Sequence, residues 1–320
     1  IAYEEVREKV KALINAPHLE EVIFVRGTTE AINLVAHAWG GEHLKSGDVV
    51  LISEMEHHSH IVPWQMVAEL RGADVKAIPI TDRGEIDLPA YHQLLRDGGV
   101  KVVAVNHVSN ALGTINPVKE MIAAAHEVGA VVSLDGAQGI PHLRVDVQDL
   151  DCDFYAFSAH KLYGPTGVGV LWGKHEHLSG CPPYMGGGDM IKEVTIERTT
   201  YNELPHKFEA GTPNIEGGLG LGAAIDWVNR VGIERIEAQE ALLLNFLSTG
   251  SVCRNPTRLP LTSANNSTVS LPPATEMSNH ALPIGFSIIG EYPPERTRPT
   301  SMSSERILSP CLGILRSSTS

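Results

Sequence analysis

Apolar and polar positions recur along this chain with two different periods. Near residues 3–16, Val6, Val10, Leu13 and Ile14 repeat at helical spacing with charges between them, which predicts an amphipathic helix. After it, short apolar runs alternate with helical stretches. Val22-Ile23-Phe24-Val25 predicts a strand and Thr28 to Trp39 a helix. Val49-Val50-Leu51-Ile52 predicts a strand, and Ile61 to Leu70 a helix. Val75 to Ile80 and Val102-Val103-Ala104-Val105 predict strands, with a helix near 88–97 between them. Met121 to His126 predicts a helix and Ala130 to Leu134 a strand. Phe154-Tyr155-Ala156-Phe157 and Val168-Gly169-Val170-Leu171 complete the strands.

Strands that alternate with helices predict an α/β fold, a mostly parallel sheet with helices on both faces. Ligands of such sheets sit beyond the carboxyl ends of the strands, where the connecting loops gather. Gly27-Thr28-Thr29, His57, Asn110, Asp135, Gln138 and Ser158 to Lys161 all fall on those loops. From about Asn245 the character changes. Ser, Thr, Pro and Arg dominate, with Pro pairs at 272–273 and 293–294, and no helical or strand period persists. This composition predicts a poorly ordered tail of abnormal origin, such as a shifted reading frame.

The segment Val132 to Gln138, followed by Phe157-Ser158-Ala159-His160-Lys161, sets a carboxylate at a strand end, an amide three residues on, and a lysine in a Ser/His-rich turn. Pyridoxal 5'-phosphate (PLP) needs that set: an amine to hold its aldehyde, a carboxylate behind its ring nitrogen, and short polar groups for its phosphate. Singly, each piece has an ordinary reading, Asp135 as a turn or helix cap and Lys161 as a solvated charge. Together, in this order and each after an apolar strand, they point to the cofactor. Gln138 is placed to donate to the ring's phenolic oxygen, and Ser158 and His160 to contact the phosphate. Gly27-Thr28-Thr29 offers backbone N–H groups and two hydroxyls at a helix start, suited to a phosphate or to simple capping. His57 suits a ring contact and proton exchange, or plain solvation. Asn110 suits a ring oxygen, a substrate carboxylate, or a turn.

Composition narrows the classes. The chain has 320 residues, a net charge of −13 and no Lys/Arg run, which argues against nucleic-acid binding. Of its 15 histidines, three cluster at Glu56-His57-His58-Ser59-His60, a segment with metal-binding character but no second ligand pair at suitable spacing, so no metal is expected. Cys152, Cys181, Cys253 and Cys311 lie far apart with no framework spacing. With no secretory leader and no apolar run of transmembrane length, a reduced, cytoplasmic chain without membrane contact is expected. The chain begins at Ile1 inside a helical pattern, which reads as a missing start.

Arg26 to Asn33, Met55-Glu56-His57-His58, Ile61-Val62-Pro63-Trp64-Gln65, His107-Val108-Ser109-Asn110 and Asp135-Gly136-Ala137-Gln138 together resemble one family. Ser158 to Gly167 and Phe208 to Asn214 extend the likeness, which covers residues 3 to 240. The chain resembles the class V, fold-type I PLP enzymes, in particular the cysteine desulfurase/selenocysteine lyase branch. That resemblance implies a PLP-dependent transferase type I large domain at 1–240, with the small domain largely absent and the aberrant tail at 241–320. It implies that Lys161 carries PLP, Asp135 pairs with the pyridine nitrogen, Gln138 contacts the phenolic oxygen and His57 stacks on the ring. Thr29, Ser158 and His160 would bind the phosphate, with Thr28 nearby and Thr212 reaching over from a second subunit. Asn110 would orient the substrate.

The implied activity converts L-cysteine, or L-selenocysteine, to L-alanine. It proceeds in a homodimer, with a persulfide passed to a sulfur-acceptor protein for iron–sulfur cluster assembly. The family's catalytic-cysteine loop, of Arg-x-Gly-x-His-Cys character, and its substrate-gripping arginine have no counterpart here, and Cys152 matches a core residue of the family. The expectation is therefore a chain that binds PLP and transfers sulfur weakly or not at all. Two other readings stand beside it: a class V aminotransferase or lyase without a nucleophilic cysteine, and a silent partner that dimerises with an intact subunit.

Overall fold

The computed structural model describes residues 2–249, 261–262 and 268–269. The apolar runs become strands β1 (Val22–Val25), β2 (Val49–Ser53), β3 (Asp74–Ile78), β4 (Val100–Asn106), β5 (Val131–Asp135), β6 (Phe154–Ser158) and β7 (Gly169–Gly173). They form one seven-stranded sheet in the order β1-β7-β6-β5-β4-β2-β3. The pairs β2–β3, β2–β4, β4–β5 and β5–β6 are parallel. Strand β7 runs antiparallel to both β1 and β6, so six strands share one direction. Every residue of β1, β2, β6 and β7 is buried, as a strand covered on both faces requires. Edge strand β3 is exposed from Asp74 to Ala77, and its Asp74 and Lys76 guard the open edge.

Around the sheet lie α1 (Ala2–Leu13), α2 (Thr28–Leu34), α3 (Gly41–His43), α4 (His58–Arg71), α5 (Leu88–Arg96), α6 (Val118–Glu127), α7 (Gly139–His142), α8 (Val147–Leu150), α9 (His175–Gly180), α10 (Ile215–Val231) and α11 (Ile233–Thr249). The period-two geometry of the strands divides their side chains between two cores. Val22, Phe24, Val49 and Leu51 join Val6 and Val10 of α1, Met121 and Ile122 of α6, and Leu221 and Ile225 of α10. Ile23, Val25, Val50 and Ile52 join Ile32 and Leu34 of α2, Trp64 and Val67 of α4, and Leu178 of α9. Both faces are thus covered, and the expected α/β architecture is the observed one.

Local differences have physical causes. The helix expected from Thr28 to Trp39 is α-helical only to Leu34 and widens into a π-helical turn at Val35–Gly40. That turn sets Gly40 against Trp64, whose ring would meet an added Cβ at 3.0 Å. The strand expected to reach Ile80 ends at Ile78, and Ile80 instead bridges to Ile86. A hairpin of β8 (Ile191–Val194) and β9 (Thr199–Tyr201) follows α9. Buried Arg7 donates to Val22 O and Glu209 Oε1, both at 2.7 Å, which fastens α1 to β1 and to the loop that leads to Thr212.

Helix α11 is continuous across residue 240, where the sequence placed the start of the tail. One compact unit spans Ile1–Ser251 and a second Val252–Ser320. Of the second, the described residues are the antiparallel pair β10 (Leu261–Thr262) and β11 (Thr268–Val269). The remaining expectations for the tail, with Cys253 and Cys311, lie outside the described residues. Among the described residues no helix is long and apolar enough to cross a membrane.

Candidate active site

Because β1, β2, β4, β5 and β6 share one direction, their carboxyl ends meet at one edge of the sheet. The loops beyond them enclose a cavity of about 220 Å³. Thr28 and Thr29 enter it after β1, His57 and Ser59 after β2, Asn106, Val108 and Asn110 at the end of β4, Asp135, Ala137 and Gln138 after β5, and Ser158, His160 and Lys161 after β6. Nine of the ten residues singled out in the sequence therefore line one cavity. The tenth, Thr212, is exposed and lies outside it. Ser59, Asn106, Val108 and Ala137 line it without having been anticipated. Asn106 carried a readable signal, a polar side chain that closes the apolar run Val102–Val105.

Asp135 ends β5 and is 6% exposed. One carboxylate oxygen accepts the Ala137 N–H at 2.9 Å, and its backbone carbonyl accepts the His107 N–H at 2.9 Å. The turn after it is tight. A Cβ on Gly136 would stand 2.0 Å from Tyr155 Cε1, a distance no side chain can hold. Gly136→Ala should therefore cost at least about 1–3 kcal/mol, the usual range for overpacking. A urea melt unchanged from the parent would refute the tight fit.

His107 packs beneath this turn, its Nδ1 3.1 Å from the Tyr155 hydroxyl. Burial pushes the imidazole down to about 4 and the Tyr155 phenol well above its usual range. Between about pH 4 and 6.5 the unfolded chain binds the proton that folded His107 refuses, so stability rises with pH across that window. It is fully present above about 6.5 and is lost as pH falls toward 4, by at most about 3 kcal/mol. Urea midpoints taken from pH 4 to 7 should show a shallower acid limb in His107→Gln; parallel limbs would count against this origin.

Lys161 ends the short turn Ala159–Lys161 after β6 and is half-buried. Among the described residues its amine has no ion-pair partner. Desolvation, and then the charge of Lys161, pushes His160 below the ordinary imidazole range. Ser158 Oγ accepts the Thr28 N–H at 2.8 Å and meets Thr28 Oγ1 at 2.8 Å, which ties the β1 and β6 loops together.

The histidine-rich segment after β2 is divided by the helix it opens. Glu56 turns inward, where it accepts from Ser53 Oγ, from the Asn106 N–H at 2.8 Å and from His60 Nδ1 at 2.9 Å. His57 caps α4 and faces the cavity, and His58 is exposed. Among the described residues no three His, Cys, Asp or Glu groups come together as a metal site.

Residues 1–271 match the aminotransferase class-V family. The chain belongs to that family. It is 53% identical over 257 residues to a cysteine desulfurase of Dickeya dadantii, a match covering 80% of this chain and 62% of that protein. A cysteine desulfurase of Synechococcus elongatus is 53% identical over 243 residues, covering 76% of this chain and 39% of the relative. The chain thus spans less than two thirds of the length of these relatives. Among solved structures, the cysteine desulfurase CsdA of Escherichia coli, in its S-sulfonic acid form, superposes with a TM-score of 0.75 at 42% identity, covering 80% of this chain and 64% of that one.

Within this family frame the cysteines can be judged by place. Cys152 and Cys181 are buried, and neither lines the cavity. Burial pushes the Cys152 thiol far up and the Cys181 thiol up to about 12, the reverse of what a thiolate nucleophile needs.

Class V enzymes depend on PLP, and the cavity fits it. Among the described residues, a buried carboxylate with an oxygen to spare, an amine without an ion-pair partner, an amide and a group of hydroxyls converge at the strand ends.

Proposed function

We propose that this chain is a PLP-dependent cysteine desulfurase that acts on L-cysteine, or its selenium analogue, and releases L-alanine. The observation that carries this reading is the convergence of Asp135, Gln138 and Lys161 in one cavity, in a chain 53% identical over 257 residues to a cysteine desulfurase. When bound, PLP supplies an electron sink for charge developed at the substrate carbon. Lys161 Nζ would hold the cofactor, and its amine would be the base that takes the substrate proton. Asp135 would set a negative charge behind the ring nitrogen. Gln138 would donate to the phenolic oxygen, and His57 would lie against the ring. Thr29, Ser158 and His160 would hold the phosphate, with Thr28 beside them. Asn110 donates to the substrate carboxylate.

Thr212, exposed and three residues beyond the Glu209 that Arg7 holds, would serve the phosphate of a second copy in a homodimer. The sulfur passes as a persulfide to an acceptor protein for iron–sulfur cluster assembly, chemistry suited to a reduced cytoplasm. Carbon–sulfur cleavage needs a thiolate to take the sulfur, and Cys152 and Cys181 are both unsuited. Sulfur transfer by the described residues alone is accordingly weak.

Incubation of the PLP-loaded chain with L-cysteine and an added 2-oxo acid tests the reaction class. Alanine in low yield, with the 2-oxo acid untouched, is expected. Conversion of the 2-oxo acid to its amino acid would replace this reading with an aminotransferase.

A further inference from the structure

We propose that Ser59 is a positioning residue that locks His57 in its Nε2–H form, so that the ring turns a proton donor, not an acceptor, toward the cavity. His57 caps α4: its Nδ1 accepts the Ser59 backbone N–H at 3.2 Å and stands 2.7 Å from Ser59 Oγ. A backbone N–H can only donate. Nδ1 must therefore present its lone pair, and a neutral imidazole has one ring proton, which then resides on Nε2. The nearby Ser59 hydroxyl can donate to the same atom. Both residues line the cavity, and with Nδ1 drawn to the helix start, Nε2 is the ring nitrogen left to face it.

The cap rests on a fixed base. The preceding residue, Glu56, is fully buried and bound by His60 and the Asn106 N–H, so the backbone that presents His57 has little freedom. A neutral His57 could accept a proton only at Nδ1, and only by expelling the donors of Ser59. The ring thereby turns a hydrogen-bond donor toward the cavity. Resting on the PLP reading above, this assigns proton removal from substrate to Lys161 and leaves His57 as the donor.

The experiment reads the ring nitrogens of isotope-labelled histidine by NMR in the cofactor-loaded and cofactor-free chain, with His57→Gln to identify the signal. The Nε2-protonated pattern is expected in both. It should persist in Ser59→Ala, which keeps the N–H, with turnover lowered on the order of two- to tenfold, the worth of one hydrogen bond. Ser59→Pro removes the N–H at a first-turn position where proline is tolerated, and there a mixture of tautomers is expected. An Nδ1-protonated His57 in the parent chain would overturn the proposal, as would an unchanged pattern in Ser59→Pro. Should Ser59→Pro fail to fold, the parent and Ser59→Ala spectra still decide. A chain that takes up no PLP yet shows the Nε2–H pattern would defeat the enzymatic reading and leave the lock standing.

Discussion

Lys161→Ala should give a folded protein that has lost the violet-edge absorbance of a lysine-held pyridoxal cofactor, together with about 10³-fold of its turnover. The reasoning starts from position. Lys161 ends a single turn whose backbone bonds, Leu162 N and Gly164 N to Ala159 O at 2.8 Å, do not involve its side chain. The side chain is half-buried and makes no ion pair among the described residues, so its loss removes little packing. Among the described residues that line the cavity no other lysine can take its place. Absorbance spectra of the two proteins, with peptide mass analysis after borohydride reduction, check this directly. A spectrum unchanged in the variant would refute the assignment, and matched urea melts would establish that folding is intact.

Strands were the most legible part of the fold, for a physical reason. A strand buried on both faces admits almost no polar side chain, so β1, β2 and β4 stand out as Val/Ile-rich runs. Hairpin β8–β9 carries no such mark, since β8 is exposed at three of its four residues and its side chains answer to solvent. Helix α10 hides behind its glycines. Gly217, Gly218, Gly220 and Gly222 argue against a helix by propensity, yet an added Cβ would crowd a neighbour at each of them. A Cβ on Gly218 would stand 2.4 Å from the Tyr3 ring, and one on Gly222 2.7 Å from Val6 Cγ2. Close approach of α1 therefore overrides local preference, and only the assembled core reveals it.

The site was legible where chemistry demands an unusual residue at a strand end. Asp135 and Lys161 stand out as a pair, each after an apolar strand, although either alone has an ordinary reading. Thr28, Thr29 and Asn110 were ambiguous alone, and the shared strand direction is what gathers them. Glu56 and His60 illustrate the opposite case. They belong to a segment of metal-binding character for which no metal was expected, and the turn into α4 buries both as partners of each other. Ser59 was invisible because its contribution rests on a backbone N–H, which every non-proline residue carries.

Asp135→Asn is expected to separate activity from stability. The amide is isosteric and can keep an oxygen on the Ala137 N–H, so the turn at Gly136 should survive. What disappears is the negative charge behind the ring nitrogen, and with it the pull that draws electrons from the substrate. Loss of one preorganised electrostatic partner in a water-poor site lowers turnover on the order of 10²–10³-fold. Stability should hold or rise slightly, because Asp135 is 6% exposed and makes one side-chain hydrogen bond, so a neutral amide has less solvation to lose. Attachment of the cofactor depends on Lys161 and should persist, so the variant stays coloured while its turnover collapses. Kinetics, absorbance and urea melts on the same preparation read the three quantities together. Full turnover in the Asn variant would mean that the reaction does not use this charge, and a colourless variant would mean that Asp135 holds the cofactor rather than tuning it.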